Sequence, residues 1–303
     1  MIISASRRTD IPAFYSRWFM KRVAAGYCDV PNPFHPTQVT KVSLETKDVD
    51  VIVFWTRNAS PLLPRLKELD REGYRYTFLY TLMDNPRPID PGCPPLQEAL
   101  ATFKALSDRI GPERVLWRYD PVVFSNATNP EFQRKTYETV ARQLRGYTSR
   151  SIISVVNIYR KVRRRLTALS EVGIDLLECK GVAFAELMRF MASVAGENGM
   201  TIQSCAQERE LTAYGVPPGK CIDDGLIREV FGLEVNRTKD PSQRKACGCV
   251  KSKDIGMYDT CLYGCAYCYA TSSFEKAKEN FRRHDPDAPS LLPARDFTSQ
   301  SSS

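Results

Sequence analysis

The feature that most constrains this chain is a repeated alternation of short, β-rich apolar runs with longer amphipathic stretches. Such alternation predicts parallel strands joined by helices, and six or more of these units predict a closed barrel. The runs at 51–54 (VIVF) and 152–156 (IISVV) are continuously apolar, which is typical of strands covered on both faces. The Gly-rich phosphate-binding turn that would favour an open Rossmann-type sheet is missing. We therefore predict an α/β fold, a parallel (β/α) barrel of about six or seven strands.

The predicted strands cover, in chain order, 1–6, 50–55, 74–82, 114–119, 152–159, 199–206 and 254–260. The predicted helices lie near 12–25, 61–73, 95–110, 129–145, 180–196, 222–231 and 271–283. Residues 210–253 differ in pattern, being Gly/Pro-rich and basic, and we interpret them as a cysteine-bearing insertion. The barrel itself is then formed by residues 1–209 and 254–285. Residues 286–303 are rich in Pro and Ser and are predicted to form a disordered tail.

The ten cysteines are unevenly distributed along the chain. Cys28, Cys93 and Cys179 are scattered, whereas the other seven all fall between Cys205 and Cys268. No apolar run reaches the roughly 18 residues that span a bilayer, and the start lacks the features of a secretory signal. We therefore expect a cytoplasmic protein without membrane contact. In that reducing compartment, clustered thiolates more often bind metals or do chemistry than pair as disulfides.

The tightest cysteine group has the spacing Cys261-x3-Cys265-x2-Cys268. Three thiolates within eight residues reach three corners of one iron–sulfur cube, and a fully ligated cube usually takes four cysteines. The fourth iron is then open and can chelate the amino and carboxylate groups of S-adenosylmethionine and deliver an electron to its sulfonium. Tyr267 either packs near the adenine of that cofactor or is an ordinary aromatic residue of the loop. The spacing thus predicts a 4Fe-4S cluster and S-adenosylmethionine as cofactors.

The segment CLYGCAYCY at 261–269 resembles the cluster loop of the radical S-adenosylmethionine (SAM) superfamily, including the aromatic residue before the last cysteine. Over nearly the whole chain, several segments resemble an uncharacterised bacterial family: SASRRTDIPAFY, the stretch from Asn32 through VIVFWTRN, VLWRYDP, CID at 221–223 and ACGCVKSKDIGMYDTCLYGCAYCYA. That family is domain of unknown function 1848, noted for a C-terminal cysteine cluster like that of radical SAM enzymes. The resemblance implies an enzyme that generates a 5′-deoxyadenosyl radical for hydrogen abstraction, and it implies no particular substrate.

The position of the cysteine loop departs from the superfamily pattern, in which the loop follows the first barrel strand. A circularly permuted radical SAM barrel accounts for this if 254–260, the cysteine loop and 271–283 form the first unit. The strand at 1–6 would then be the second strand, and 254–260 should lie beside it. A second departure is that the strand at 1–6 is not followed by Gly-Gly-Glu, which the superfamily often uses to hold the methionyl amine.

The remaining clustered cysteines, Cys205, Cys221, Cys247 and Cys249, leave three interpretations open. They ligate a second iron–sulfur cluster, or they hold a structural zinc, since four thiolates suit tetrahedral zinc equally well. In the third, Cys205 acts alone, either as a catalytic hydrogen-atom donor or as an inert core thiol. The chain has only two histidines, which argues against ordinary zinc hydrolase chemistry.

Arginines recur at the predicted carboxyl ends of the strands, where active sites of parallel barrels lie. Guanidinium groups bind carboxylates and phosphates in a bidentate manner, so this ring suits the carboxylate of the cofactor and an anionic substrate. The substrate class is therefore an anionic small molecule or nucleic acid. We expect Asp10 and Asp120 to orient the arginines rather than to act as acid–base catalysts. The predicted cofactor-binding residues are Tyr267, Arg7, Arg8, Arg57, Arg118, Asp120 and Arg160.

The net charge of +8 favours anionic partners by long-range attraction, but it is too diffuse to establish nucleic-acid binding. The densest basic run, RKVRRR at 160–165, is more typical of a solvated helix start than of a phosphate-binding track. The leading prediction is a radical SAM-type enzyme that receives electrons from a donor such as flavodoxin or ferredoxin. The alternative is a non-catalytic zinc or iron–sulfur protein that binds nucleic acid. The sequence does not predict an oligomeric state.

Overall fold

The structure is a computed structural model that describes residues 1–35 and 37–293. Its strands are β1 (Ile2–Ala5), β2 (Tyr27–Pro31), β3 (Val39–Ser43), β4 (Val51–Thr56), β5 (Tyr76–Thr81), β6 (Val115–Val122), β7 (Arg150–Val155), β8 (Thr201–Cys205), β9 (Pro218–Gly219) and β10 (Lys253–Asp254). Its α-helices are α1 (Ile11–Phe14), α2 (Ser16–Ala25), α3 (Leu66–Arg71), α4 (Leu96–Ile110), α5 (Pro130–Gln143), α6 (Arg160–Ala168), α7 (Gly181–Glu197), α8 (Asp224–Phe231) and α9 (Phe274–Arg282).

A single parallel sheet dominates the described part of the chain. Its strand order is β10-β1-β4-β5-β6-β7-β8-β9, and every neighbouring pair is parallel. The prediction of a parallel α/β sheet is therefore confirmed, with eight strands in place of six or seven. Within the described residues, β10 and β9 are the two edges and do not pair with each other. The sheet is consistent with a barrel-like fold, without a closed barrel being observed.

The strand β10, which comes late in the chain, lies beside the first strand, β1. Ile3 pairs with Lys253 and Ser4 pairs with Asp254, so the predicted neighbourhood of these two segments is confirmed. β10 is only two residues long, although a strand over 254–260 was predicted. The reason is that the Asp254 carboxylate accepts a hydrogen bond from the backbone N–H of Gly256 (3.0 Å), which turns the chain out of the sheet.

Alternate residues of the strands enter two different apolar clusters, one on each face of the sheet. Ile52 and Phe54 of β4 belong to a cluster that includes Phe19 of α2 and Leu187 of α7. The neighbouring Val53 belongs to a second cluster. That second cluster is completed by residues of the predicted insertion, namely Cys221, Ile222, Leu226, Ile227, Cys247, Cys249 and Val250. Residues from 221 to 250 therefore cover the second face of the sheet, and β9 extends the sheet just before them.

An antiparallel hairpin, formed by β2 and β3, was not predicted from the sequence. Tyr27 pairs with Ser43 and Pro31 pairs with Val39. The hairpin lies between α2 and β4 in the chain and forms a separate two-stranded sheet. No helix in the described ranges is long and apolar enough to cross a membrane.

Residues 286–293 differ from the prediction of a disordered tail, because they pack against the body of the protein. The backbone N–H of Asp29 donates to the carbonyl oxygen of Pro289 (2.9 Å), and the side chain of Leu291 is buried. A buried leucine and a backbone hydrogen bond outweigh the Pro- and Ser-rich composition on which the prediction was based. The remainder of that predicted tail, 294–303, lies outside the described residues.

Candidate metal and cofactor site

A cavity of about 250 Å³ lies at the carboxyl ends of the central strands. It is lined by all three cysteines of the tight group and by three of the other four: Cys261, Cys265, Cys268, Cys205, Cys247 and Cys249. Its wall also contains most of the predicted cofactor-binding residues: Arg7, Arg8, Arg57, Arg118, Asp120 and Tyr267. The two cysteine groups, which were predicted to form separate sites, therefore face one common cavity.

The loop that carries the tight cysteine group contains no helix or strand, and a neighbouring loop fixes its backbone. The N–H of Gly92 donates to the carbonyl oxygen of Tyr263 (2.9 Å), and the N–H of Ala266 donates to that of Ile89 (2.9 Å). A Cβ atom on Gly92 would lie 2.7 Å from the Tyr263 oxygen, which is closer than real Cβ atoms approach. Gly264 has a φ of 71°, in the left-handed region that glycine adopts without strain. Both glycines therefore shape the cysteine loop.

We expect Gly92→Ala to destabilise the protein by about 1–3 kcal/mol, because the added methyl group must push the two loops apart. The matched control is Gly196→Ala within α7, where a Cβ atom meets nothing within 4 Å. That substitution should stabilise the protein by roughly 0.5–1 kcal/mol. Thermal unfolding of both variants checks the prediction. A Gly92→Ala midpoint at or above that of the wild type would show that the close approach is not needed.

Cys265 has the thiol of Cys93 and the carboxylate of Asp90 as neighbours. Its sulfur lies 3.9 Å from that of Cys93, and one oxygen of Asp90 lies within 4.8 Å of both sulfurs. The hydrogen bond with Cys93, together with burial, raises the pKa of the Cys265 thiol well above its usual value. Sequence reasoning missed Cys93 because the thiol that it contacts, Cys265, is 172 residues away. Its position in the loop after a parallel strand, β5, was the signal that could have identified it.

Tyr267 and Arg57 form a hydrogen-bonded network beside Cys265. The Tyr267 hydroxyl donates to Asp90 (2.7 Å) and accepts a hydrogen bond from Arg57. Arg57 also donates to the sulfur of Cys93 (3.3 Å) and lies 3.4 Å from Asp90. Burial alone would lower the pKa of Arg57, but Asp90 and Cys93 raise it, so the guanidinium stays charged next to the thiols. Tyr267 therefore acts in this structure as a partner of Arg57 and Asp90.

Asp10 fixes the backbone from which Arg57 projects. Its buried carboxylate caps α1 by accepting from the N–H of Ala13 (3.0 Å), and it also accepts from the Thr56 hydroxyl (2.8 Å) and the Arg57 N–H (2.7 Å). Burial raises the pKa of Asp10 to about 7, although these three hydrogen bonds oppose the shift. Asp10 thus connects α1 to the end of β4 through the backbone of Arg57.

The second cysteine group forms a connected set of thiols. The thiol of Cys221 donates to the sulfur of Cys205 (3.1 Å), and Cys249 is hydrogen-bonded to both Cys221 and Cys247. These hydrogen bonds lower the pKa of Cys205 and Cys249 and raise the pKa of Cys221 and Cys247. The backbone N–H of Ile222 also donates to Cys249 (3.4 Å). The four thiols are thus linked one to the next, and four cysteines are the usual donor number for zinc or for an iron–sulfur cluster.

Two arginines flank the Trp55 ring beside the second cysteine group. The guanidinium carbons of Arg7 and Arg118 lie 5.2 Å and 4.8 Å from the ring centroid. Arg118 pairs with Asp120, and Arg7 lies 3.7 Å from Asp240. Among the described residues, one buried nitrogen of each arginine has no hydrogen-bond partner, Nη2 of Arg7 and Nε of Arg118. Their positive charges favour the thiolate form of nearby cysteines, and each guanidinium keeps one unused donor.

Arg8 and Arg160 complete the set of predicted arginines. Arg8 lines the cavity, and its Nη1 donates to the carbonyl oxygen of Gly256 (3.2 Å). Arg160 is exposed and lies outside the cavity wall, in contrast to the prediction. The reason is that β7 ends at Val155, so Arg160 is already the first residue of α6, while the preceding Asn157 and Tyr159 line the cavity.

The fold and the cavity together define a cysteine-rich α/β protein with a candidate metal site at the carboxyl edge of a parallel sheet. The chain belongs to the family described as domain of unknown function (DUF1848), whose family model matches residues 2–270. No curated protein matches the sequence. A crystal structure of an amidohydrolase from an environmental sample of the Sargasso Sea is similar over 72% of this chain, with 12% identity and a TM-score of 0.32. The match covers 52% of that structure, and a likeness this weak carries no argument about function.

Proposed function

We propose that this protein is a radical SAM-type iron–sulfur enzyme that acts on an anionic substrate. The observation that carries the proposal is the C-x3-C-x2-C loop, whose three cysteines line one cavity at the carboxyl edge of the sheet. The donor set fits the cofactor, because the three thiols are free and lie on one short loop. A bound 4Fe-4S cluster with one open iron would bind S-adenosylmethionine and supply a 5′-deoxyadenosyl radical for hydrogen abstraction.

The residues of this chain have distinct parts in the proposal. Cys261, Cys265 and Cys268 hold the cluster, and Arg57 offsets negative charge beside Cys265, where it is kept in place by Asp90. The unpartnered nitrogens of the two arginines at Trp55 would bind anionic groups, one the carboxylate of the cofactor and the other the substrate. Both arginines line the cavity, so an anion bound there would lie beside their guanidinium groups.

The chain order of a circularly permuted radical SAM barrel is supported by the contact of β10 with β1. The cysteine loop follows β10, and the helix α9 follows the loop, so this unit stands beside β1 as a first barrel unit would. The second cysteine group would hold an iron–sulfur cluster or zinc. Cys205, which lines the cavity, remains a candidate hydrogen-atom donor if it is not a ligand. A cytoplasmic location is part of the proposal, because oxygen-sensitive clusters and ten free thiols suit a reducing compartment.

Reductive cleavage of S-adenosylmethionine tests the proposed function. Anaerobically purified protein is expected to be brown and to contain iron and acid-labile sulfide. When reduced with dithionite and given S-adenosylmethionine, it should release 5′-deoxyadenosine and methionine, measured by liquid chromatography, and a sample without reductant is the control. Colourless protein that contains only zinc and binds an oligonucleotide would contradict the proposal and favour the non-catalytic nucleic-acid-binding alternative.

A further inference from the structure

The first six residues of helix α6, RKVRRR, include five basic side chains. Its nine residues, RKVRRRLTA, contain four arginines and one lysine and no acidic residue. Positive charges in the first turn interact unfavourably with the helix dipole, so helix stability does not account for them. Arg163 and Arg164 are exposed, and neither forms an ion pair within the described residues. The outer face of α6 is therefore a positively charged surface without a partner in this part of the chain.

The inner face of α6 packs directly on the cysteine loop. Val162 and Leu166 are buried in the apolar cluster that contains Cys265. Arg165 donates a hydrogen bond to the carbonyl oxygen of Cys268. An α-helix with its side chains is about 10–12 Å across, so the exposed arginines stand within about one helix diameter of the loop.

We propose that the outer face of α6, defined by Arg163 and Arg164, is the docking surface for a small acidic electron-transfer protein. This inference rests on the proposed function, which needs one electron from outside for each cleavage of S-adenosylmethionine. The reduced flavin or iron–sulfur centre of the donor loses that electron, the cluster held by the cysteine loop gains it, and no covalent bond changes. Charge complementarity selects the acidic donor and accelerates the encounter, while the short path through α6 favours electron transfer.

A nucleic acid is the other anionic macromolecule that such a surface could attract. Phosphate binding along a strand needs basic groups that follow successive phosphates. The nine residues of α6 extend only about 13 Å, and their opposite side is occupied by the cysteine loop. A single basic helix packed on the cysteine loop therefore fits a compact electron donor better than an extended nucleic-acid strand.

The first test is binding, which does not depend on activity. The affinity of oxidised flavodoxin for the anaerobically purified protein is measured by calorimetry at low and high ionic strength. Arg163→Glu/Arg164→Glu should weaken binding at least about tenfold and reduce its salt dependence. Lys67→Glu/Arg71→Glu, with the same charge change on exposed residues of α3, is the matched control and should leave the affinity unchanged. Wild-type protein that does not bind flavodoxin, or equal weakening in both variants, would overturn the docking surface.

The second test separates the docking surface from the proposed function. In Arg163→Glu/Arg164→Glu, release of 5′-deoxyadenosine should be unchanged with dithionite and should fall at least about tenfold with reduced flavodoxin. Failure of the wild type to cleave S-adenosylmethionine with dithionite would count against the function. Normal cleavage with dithionite and an unchanged flavodoxin-driven rate in the variant would overturn only the docking surface.

If the variant instead loses oligonucleotide binding and keeps flavodoxin binding, the surface is a nucleic-acid-binding surface and the docking proposal is overturned. The milder Arg163→Gln/Arg164→Gln serves if the charge reversal lowers the unfolding temperature.

Discussion

Replacing Cys265 with serine is expected to remove the oxygen-sensitive cluster and to reduce 5′-deoxyadenosine release below detection. The substitution keeps the size of the buried side chain, so the loop should still pack, but a serine hydroxyl is a poor ligand for iron compared with a thiolate. Iron and acid-labile sulfide should each fall by about four atoms per chain. Metal analysis, sulfide determination and electron paramagnetic resonance of the reduced protein measure the change.

Cys179→Ser is the matched control, because it makes the same replacement at a cysteine that does not line the cavity. Its iron and sulfide content should equal that of the wild type. The sulfur of Cys93 lies 3.9 Å from that of Cys265 and could replace a missing ligand, so Cys93→Ser/Cys265→Ser should be made as well. Full iron and sulfide in that double variant would show that the tight cysteine group does not hold the cluster.

The parallel sheet and the place of the cysteine loop could be predicted because both depend on local patterns. Continuous apolar runs specify strands that are covered on both faces, and the cysteine spacing lies within one short segment. The short length of β10 could not be predicted in the same way. The apolar residues after Asp254 suit a strand, and only the contact of that carboxylate with Gly256 ends it.

The features of the site that could not be predicted are contacts between segments that are far apart in the sequence. Cys93 reaches Cys265 because two loops are joined by backbone hydrogen bonds, and neither loop carries a pattern that predicts this pairing. The contact of Cys205 with Cys221 depends in the same way on the sheet. Cys205 lies opposite Gly219 in the pairing of β8 with β9, and the chain then brings Cys221 to the end of β8. The shared cavity is thus a product of strand order, which residue types alone do not specify.

Replacing Cys249 with serine is expected to remove the second metal centre and to leave the first intact. Cys249 is the centre of its group, since it is hydrogen-bonded to both Cys221 and Cys247. Mass-spectrometric metal analysis should show a loss of about four iron atoms if the group holds a cluster, or of about one zinc atom if it holds zinc. The electron paramagnetic resonance signal of the first centre and reductive cleavage of S-adenosylmethionine should persist, because the tight cysteine group is unchanged.

The same substitution should lower thermal stability, because the residues around Cys249 cover one face of the sheet. If binding of the metal contributes about 3 kcal/mol to folding, its loss lowers the unfolding temperature by roughly 6–12 °C. Cys179→Ser again supplies the control, and its midpoint should remain within about 2 °C of the wild type. Unchanged metal content in Cys249→Ser would contradict a second centre. Loss of the first-centre signal together with the second metal would contradict independent ligation of the two groups around their shared cavity.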